Sequence, residues 1–96
     1  MMGGNQYTSR SIDLANLLVY ALPAGSHIST VQEQGGLTFT FEGFQECRAL
    51  AAELRGAEPL AIGDLKAFLD AGQRLRSTIR VARSCGRWDR DTEVAA

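Results

Sequence analysis

The segment Leu37–Glu42 constrains this chain more than any other. Leu37, Phe39 and Phe41 alternate with Thr38, Thr40 and Glu42. As a strand it turns three large apolar side chains to one face and three polar ones to the other. Gln34-Gly35-Gly36 precedes it, and glycine accepts the positive φ of a tight hairpin. Upstream, His27–Glu33 alternates weakly, with Ile28, Thr30 and Gln32 on one face and Ser29, Val31 and Glu33 on the other. The reading is therefore a β-hairpin. A lone hairpin is marginal in water, so helices, or a sheet completed by a second copy, must cover its apolar face.

The flanking segments supply helices. Ser11 is placed to cap a helix reaching about Leu22, with Asp13 in its first turn, where the helix dipole favours an acid. This helix is apolar nearly all round, which implies heavy burial or a partner surface, and Pro23 and Gly25 end it. Gly43 breaks the second strand. Phe44–Arg55 then places Phe44, Cys47, Leu50, Ala51 and Leu54 on one helical face, with Gly56 as its cap and Pro59 in the following loop. A last helical region runs from about Asp64 to Ser84, with Gly86 as candidate C-cap. Gly72 lies inside it and costs about 1 kcal/mol against Ala, which leaves open a kink or a break. The expectation is a small α+β domain of order α-β-β-α-α, spanning 10–87, with a frayed start at 1–9 and a polar tail at 88–96. A chain of 96 residues with 45% hydrophobic content supports one core.

A net charge of −1 conceals segregation. Residues 1–70 hold four basic and eight acidic side chains; residues 71–90 hold six Arg against Asp89; the tail adds Asp91 and Glu93. Such asymmetry bears on partners rather than on fold. At helical spacing Arg76, Arg80, Arg83, Arg87 and Arg90 fall on one stripe, with Arg74 nearly opposite. The ordinary explanation is a solvated helix face whose Arg stems cover the edge of the core. The functional one is a contact surface, and Arg and Trp are enriched at interface hot spots. On that reading the partner-binding residues are Arg76, Arg80, Arg83, Arg87 and Trp88. The partner is then a protein with an acidic surface. Glu42, Glu46 and Glu53 offer such a stripe on a second copy, which makes a homodimer a further expectation.

Groups that do chemistry are sparse. His27 is the sole imidazole, and its neighbour Ser26 points to the opposite face of a strand, so no Ser-His-acid arrangement follows. One His and two distant Cys give no four-ligand zinc spacing. Gly35-Gly36 lies in a hairpin, not in a phosphate loop between strand and helix. The expectation is a protein without catalytic residues, cofactor or metal. No apolar run reaches the roughly 18 residues of a membrane span. Asp13, Asn16 and a lone Arg10 argue against reading Leu14–Leu22 as a signal peptide. The chain reads as cytoplasmic, where Cys47 and Cys85 stay reduced.

The resulting reading is a non-enzymatic protein-binding module, a regulator, adaptor or inhibitor, using its Arg-rich last helix. The alternative is a nucleic-acid-binding regulator that uses either a degenerate helix-turn-helix or the Arg-rich last helix. Ala52, Gly56, Ile62 and Leu65 match a degenerate helix-turn-helix over about 46–70, while Arg55 and Gly63 depart from it. An overall acidic pI of about 5.7 weighs against nucleic acid.

Overall fold

The computed structural model describes residues 5–56 and 61–91. Seven elements follow in order: β1 (Gln6–Ser9), α1 (Ile12–Ala21), β2 (His27–Glu33), β3 (Gly36–Glu42), α2 (Phe44–Arg55), α3 (Leu65–Cys85) and β4 (Arg87–Asp89). The strands form one antiparallel sheet of order β1-β3-β2-β4. The α+β class and the hairpin packed on helices are as the sequence predicts.

The alternation of β3 decides the layers. Leu37, Phe39 and Phe41 are buried, the two phenylalanines with no exposed surface, and they join Leu14, Leu17, Leu18, Cys47, Ala51 and Leu75 in one core. All three helices thus contribute to one face of the sheet, giving a two-layer α/β packing.

Two strands lie where the sequence pattern predicts a frayed start and a polar tail. Gln6–Ser9 pairs with β3, setting Tyr7 opposite Phe41 and Ser9 opposite Phe39. Those two side chains are half-buried while Gln6 and Thr8 are exposed. The Asn5 carbonyl accepts from the amides of Gly43 and Phe44 at 2.8 and 3.1 Å. It thereby serves the start of α2, whose N-cap Gly43 has no side chain to do so. At the other end, Gly86 takes φ +91°, a left-handed value that favours glycine, and its amide donates to the Ala82 carbonyl at 2.7 Å. The reversal carries the chain off α3 into β4, where Trp88 lies opposite Thr30 and is buried. The polar composition of both segments hides the single inward aromatic that gives each strand its place.

The helix signals agree with the sequence. Ser11 accepts from the Leu14 amide at 3.2 Å, and Asp64 accepts from the Ala67 amide at 3.0 Å. Cys47 is buried, Cys85 is exposed, and both are free thiols. Nine residues, 56–64, separate α2 from α3. That exceeds the three or four of a helix-turn-helix turn, and Pro59, in this connection, lies outside the described residues.

α3 runs through Gly72 without a break. The glycine is there because α1 crosses α3 at this point: a Cβ at Gly72 would fall inside van der Waals contact of Asn16 Oδ1. The Asn16 Nδ2 group is buried with no hydrogen-bond partner among the described residues. Gly72→Ala is expected to lower stability by about 1 kcal/mol in chemical denaturation, although Ala favours a helix interior by a similar amount. In an Asn16→Ala background the same substitution is expected to raise stability.

Candidate functional site

The Arg stripe is shorter than its sequence spacing implies. Arg76, Arg80 and Arg83 are exposed on α3. With Ile12, Ile79 and Ser84 they line a shallow groove of about 620 Å³ between α1 and α3. None of the three forms an ion pair among the described residues. The helix ends at Cys85, so Arg87 and Arg90 leave the stripe. Arg87 Nε donates to Asp89 Oδ2 at 2.6 Å within β4. Arg90 Nη2 donates to Glu42 Oε2 at 2.9 Å, and Arg90 Nη1 donates to the Gly25 carbonyl. The Arg90 hydrogen bond, seconded by its charge, holds the Glu42 carboxyl below the usual carboxylate range. Glu42 therefore belongs to a strand end and an intrachain pair, not to an acidic helical stripe. Trp88, placed with the Arg residues by sequence, is 9% exposed and packs in the core.

The same face of α3 continues toward its N-terminus as Leu65 and Leu69, which precede Arg76 by eleven and seven residues and so lie on one helical line with it. Leu65 is 63% exposed, Leu69 57% and Ile12 50%. This face is apolar at one end and basic at the other.

A second assembly, undetected by sequence reasoning, centres on His27. The pairing of β2 with β3 shifts by one residue between His27 and Ser29. This bulge at Ile28 places both His27 and Thr30 on the inner face, opposite Phe41 and Phe39. Strict alternation would have set them on opposite faces. The His27 ring stacks on Phe41 at 4.7 Å and 18° and lies 4.6 Å from Trp88.

A chain of hydrogen bonds fixes the imidazole's protonation. The Thr78 hydroxyl donates to the Leu75 carbonyl at 2.7 Å, so its one proton is spent. The 3.0 Å contact between the Thr30 and Thr78 hydroxyls then needs the Thr30 proton. His27 Nε2, 2.9 Å from Thr30 Oγ1 and 3.2 Å from the Ser29 carbonyl, must be the donor to both. The ring is thus the Nε2–H tautomer. Nδ1 keeps its lone pair and has no partner among the described residues. Desolvation lowers the His27 pKa from 6.5 to about 4, against the smaller, raising effect of the Ser29 carbonyl.

The His27 ring lines a cleft of about 580 Å³ between the end of α1, the 23–26 loop, the middle of α3 and β4. Leu18, Val19, Leu75 and Trp88 form its apolar wall, while Arg74 and Arg90 supply its charge. Among the described residues no carboxylate lines it. Among the described residues no cluster of three His, Cys, Asp or Glu side chains occurs, and no helix is long and apolar enough to cross a membrane. Comparison with protein-family models, curated proteins and solved structures returned no match.

The half-buried, neutral imidazole links stability to pH. Above pH 6.5 both folded and unfolded chains hold it neutral. Below 6.5 the unfolded chain takes up a proton that the folded one refuses until about pH 4, so stability falls through that window as pH falls. Going from neutral pH to the lower part of the window is expected to cost about 2 kcal/mol through this group. Urea midpoints for the native chain and His27→Gln measure it. The native chain should lose more on acidification, and parallel losses would show that His27 carries no linkage.

Proposed function

We propose that this chain is a protein-binding module whose α1–α3 groove receives an amphipathic acidic segment of a partner protein. The observation that supports this is the exposed face of α3, where Arg76, Arg80 and Arg83 stand beside Ile12 and in line with Leu65 and Leu69, with no carboxylate facing them in the groove. Long apolar side chains held in water are costly unless something covers them. Three guanidiniums set around an apolar floor favour an occupant with apolar anchors at one end and acids at the other. A helix carrying leucines at i and i+4, then Glu one to two turns further on, would match that order.

Self-association through the same face is less favourable. A parallel pair sets Arg against Arg, and an antiparallel pair sets the leucines against guanidiniums rather than against each other. A partner of different sequence is the better fit. Arg also binds phosphate, but no exposed aromatic accompanies these three to stack a base, since Trp88 is buried.

The test is fluorescence anisotropy with a labelled helical peptide of that pattern, beside a Glu→Gln version, duplex DNA and single-stranded RNA, at low and high salt. The acidic peptide is expected to bind. Arg80→Glu with Arg83→Glu should weaken it by at least about tenfold, or roughly 1.4 kcal/mol. Leu69→Ala should weaken it without changing its salt dependence. Equal binding of acidic and neutral peptides would remove the reading. Salt-sensitive binding of nucleic acid alone would replace it, and a dimeric mass lost in the double Arg variant would make a second copy the occupant.

A further inference from the structure

We propose that the His27 cleft is a binding site for a small carboxylic acid with an apolar body, its carboxylate paired with the Arg74 guanidinium. The site is distinct from the α1–α3 groove, and its occupant follows from its size, its walls and its charge.

The volume of about 580 Å³ is within the range of roughly 300–1,000 Å³ typical of small-ligand pockets. Its walls are mainly apolar, with Leu18 and Val19 on α1, Leu75 on α3 and Trp88 on β4. A ligand made only of charged groups would leave this surface wet, so the body of the ligand is apolar.

The charge selects an anion. Among the described residues Arg74 and Arg90 line the cleft and no carboxylate does. Arg90 is already committed to Glu42 and to the Gly25 carbonyl. That commitment ties the 23–26 loop to the end of β3 and makes Arg90 part of the rim. Arg74 is exposed and has no ion pair among the described residues, so it is the cation available to a ligand. One uncommitted guanidinium matches one carboxylate in bidentate geometry. A phosphate dianion would find only half its charge met, and a cationic ligand would face two arginines.

His27 contributes shape and an acceptor, not charge. Its Nε2–H is taken by Thr30 and Ser29, and the ring is neutral at physiological pH. It therefore does not compete with Arg74 for the anion. Its unpartnered Nδ1 accepts from a ligand hydroxyl or amide where one is in reach.

Trp88 is the only tryptophan in the chain and forms part of the wall, so the native protein carries its own reporter. The experiment titrates octanoate and phenylacetate, each beside its neutral alcohol, octanol and phenylethanol. Trp88 emission and isothermal calorimetry are followed together, so that a ligand silent in one is seen in the other. The acids are expected to saturate, with their alcohols about tenfold weaker. Arg74→Gln, a change at an exposed side chain, should weaken the acids about tenfold and leave the alcohols unchanged, which also shows that the variant keeps its cleft. Three results would each overturn the proposal: no saturable heat or emission change with either acid into the millimolar range, alcohols binding as tightly as acids, or an acid preference that survives Arg74→Gln. Because Arg74 does not line the α1–α3 groove, the acidic peptide should bind the variant as it binds the native chain.

Discussion

Everything in this fold depends on covering one face of β3. Phe39 and Phe41 are the largest fully buried side chains, and each has a cross-strand neighbour on both sides. Tyr7 and His27 flank Phe41; Ser9 and Thr30 flank Phe39. The hydrophobic effect drives the helices onto this face, but the helices alone would leave the sheet's inner edges open to water. The two short outer strands close those edges with one aromatic each, Tyr7 on β1 and Trp88 on β4. Gly86 is what allows the second of these, because a helix continuing past Cys85 would have carried Trp88 away from Thr30.

The same requirement explains why a half-buried imidazole sits here. His27 sits where the sheet needs a flat ring between Phe41 and Trp88, and burying a ring nitrogen costs unless it is hydrogen-bonded. Thr30 and Thr78 meet that demand from two different elements, passing the hydrogen bond to the Leu75 carbonyl, which is otherwise part of α3. A polar chain through an apolar core is tolerable only when each member has its proton assigned, and here the assignment is unique.

The parts of the fold that follow a strict period were legible in the sequence. The alternation of β3, the Gly-Gly turn and the caps at Ser11 and Gly86 are local signals, and the structure repeats them; Asp64, read as the approximate start of α3, turns out to be its N-cap. What was hidden depends on pairing between distant segments. The bulge at Ile28 breaks the period of two in β2, and nothing in HISTVQE marks it; only the register against β3 puts His27 inside. Strands of four and three residues with one aromatic each fall below what periodicity resolves. Gly72 read as a weak point within a helix because its reason, Asn16 on a crossing helix, lies 56 positions away. The Arg stripe was legible for Arg76, Arg80 and Arg83, and failed where helical spacing was extended past a glycine that ends the helix.

α3 gathers both candidate sites on one element. Its buried stripe, Ala71, Leu75, Thr78 and Ala82, faces the sheet. Arg76, Arg80 and Arg83 project on one flank, and Arg74 and Ser77 project on the other, toward the cleft. The six arginines of segment 71–90 are thereby divided by geometry into three kinds. Arg87 and Arg90 are matched within the chain by Asp89 and Glu42 and serve the fold. Arg74 stands alone beside an apolar cleft, and Arg76, Arg80 and Arg83 stand together beside an apolar groove. These four are left unmatched because the acids among the described residues pair or point elsewhere: Asp70, on α3 itself, pairs with Lys66, Asp89 with Arg87 and Glu42 with Arg90. Two separate apolar depressions, each lined by at least one guanidinium without an ion pair and by no carboxylate among the described residues, flank the one helix that also supplies Thr78 to the His27 network.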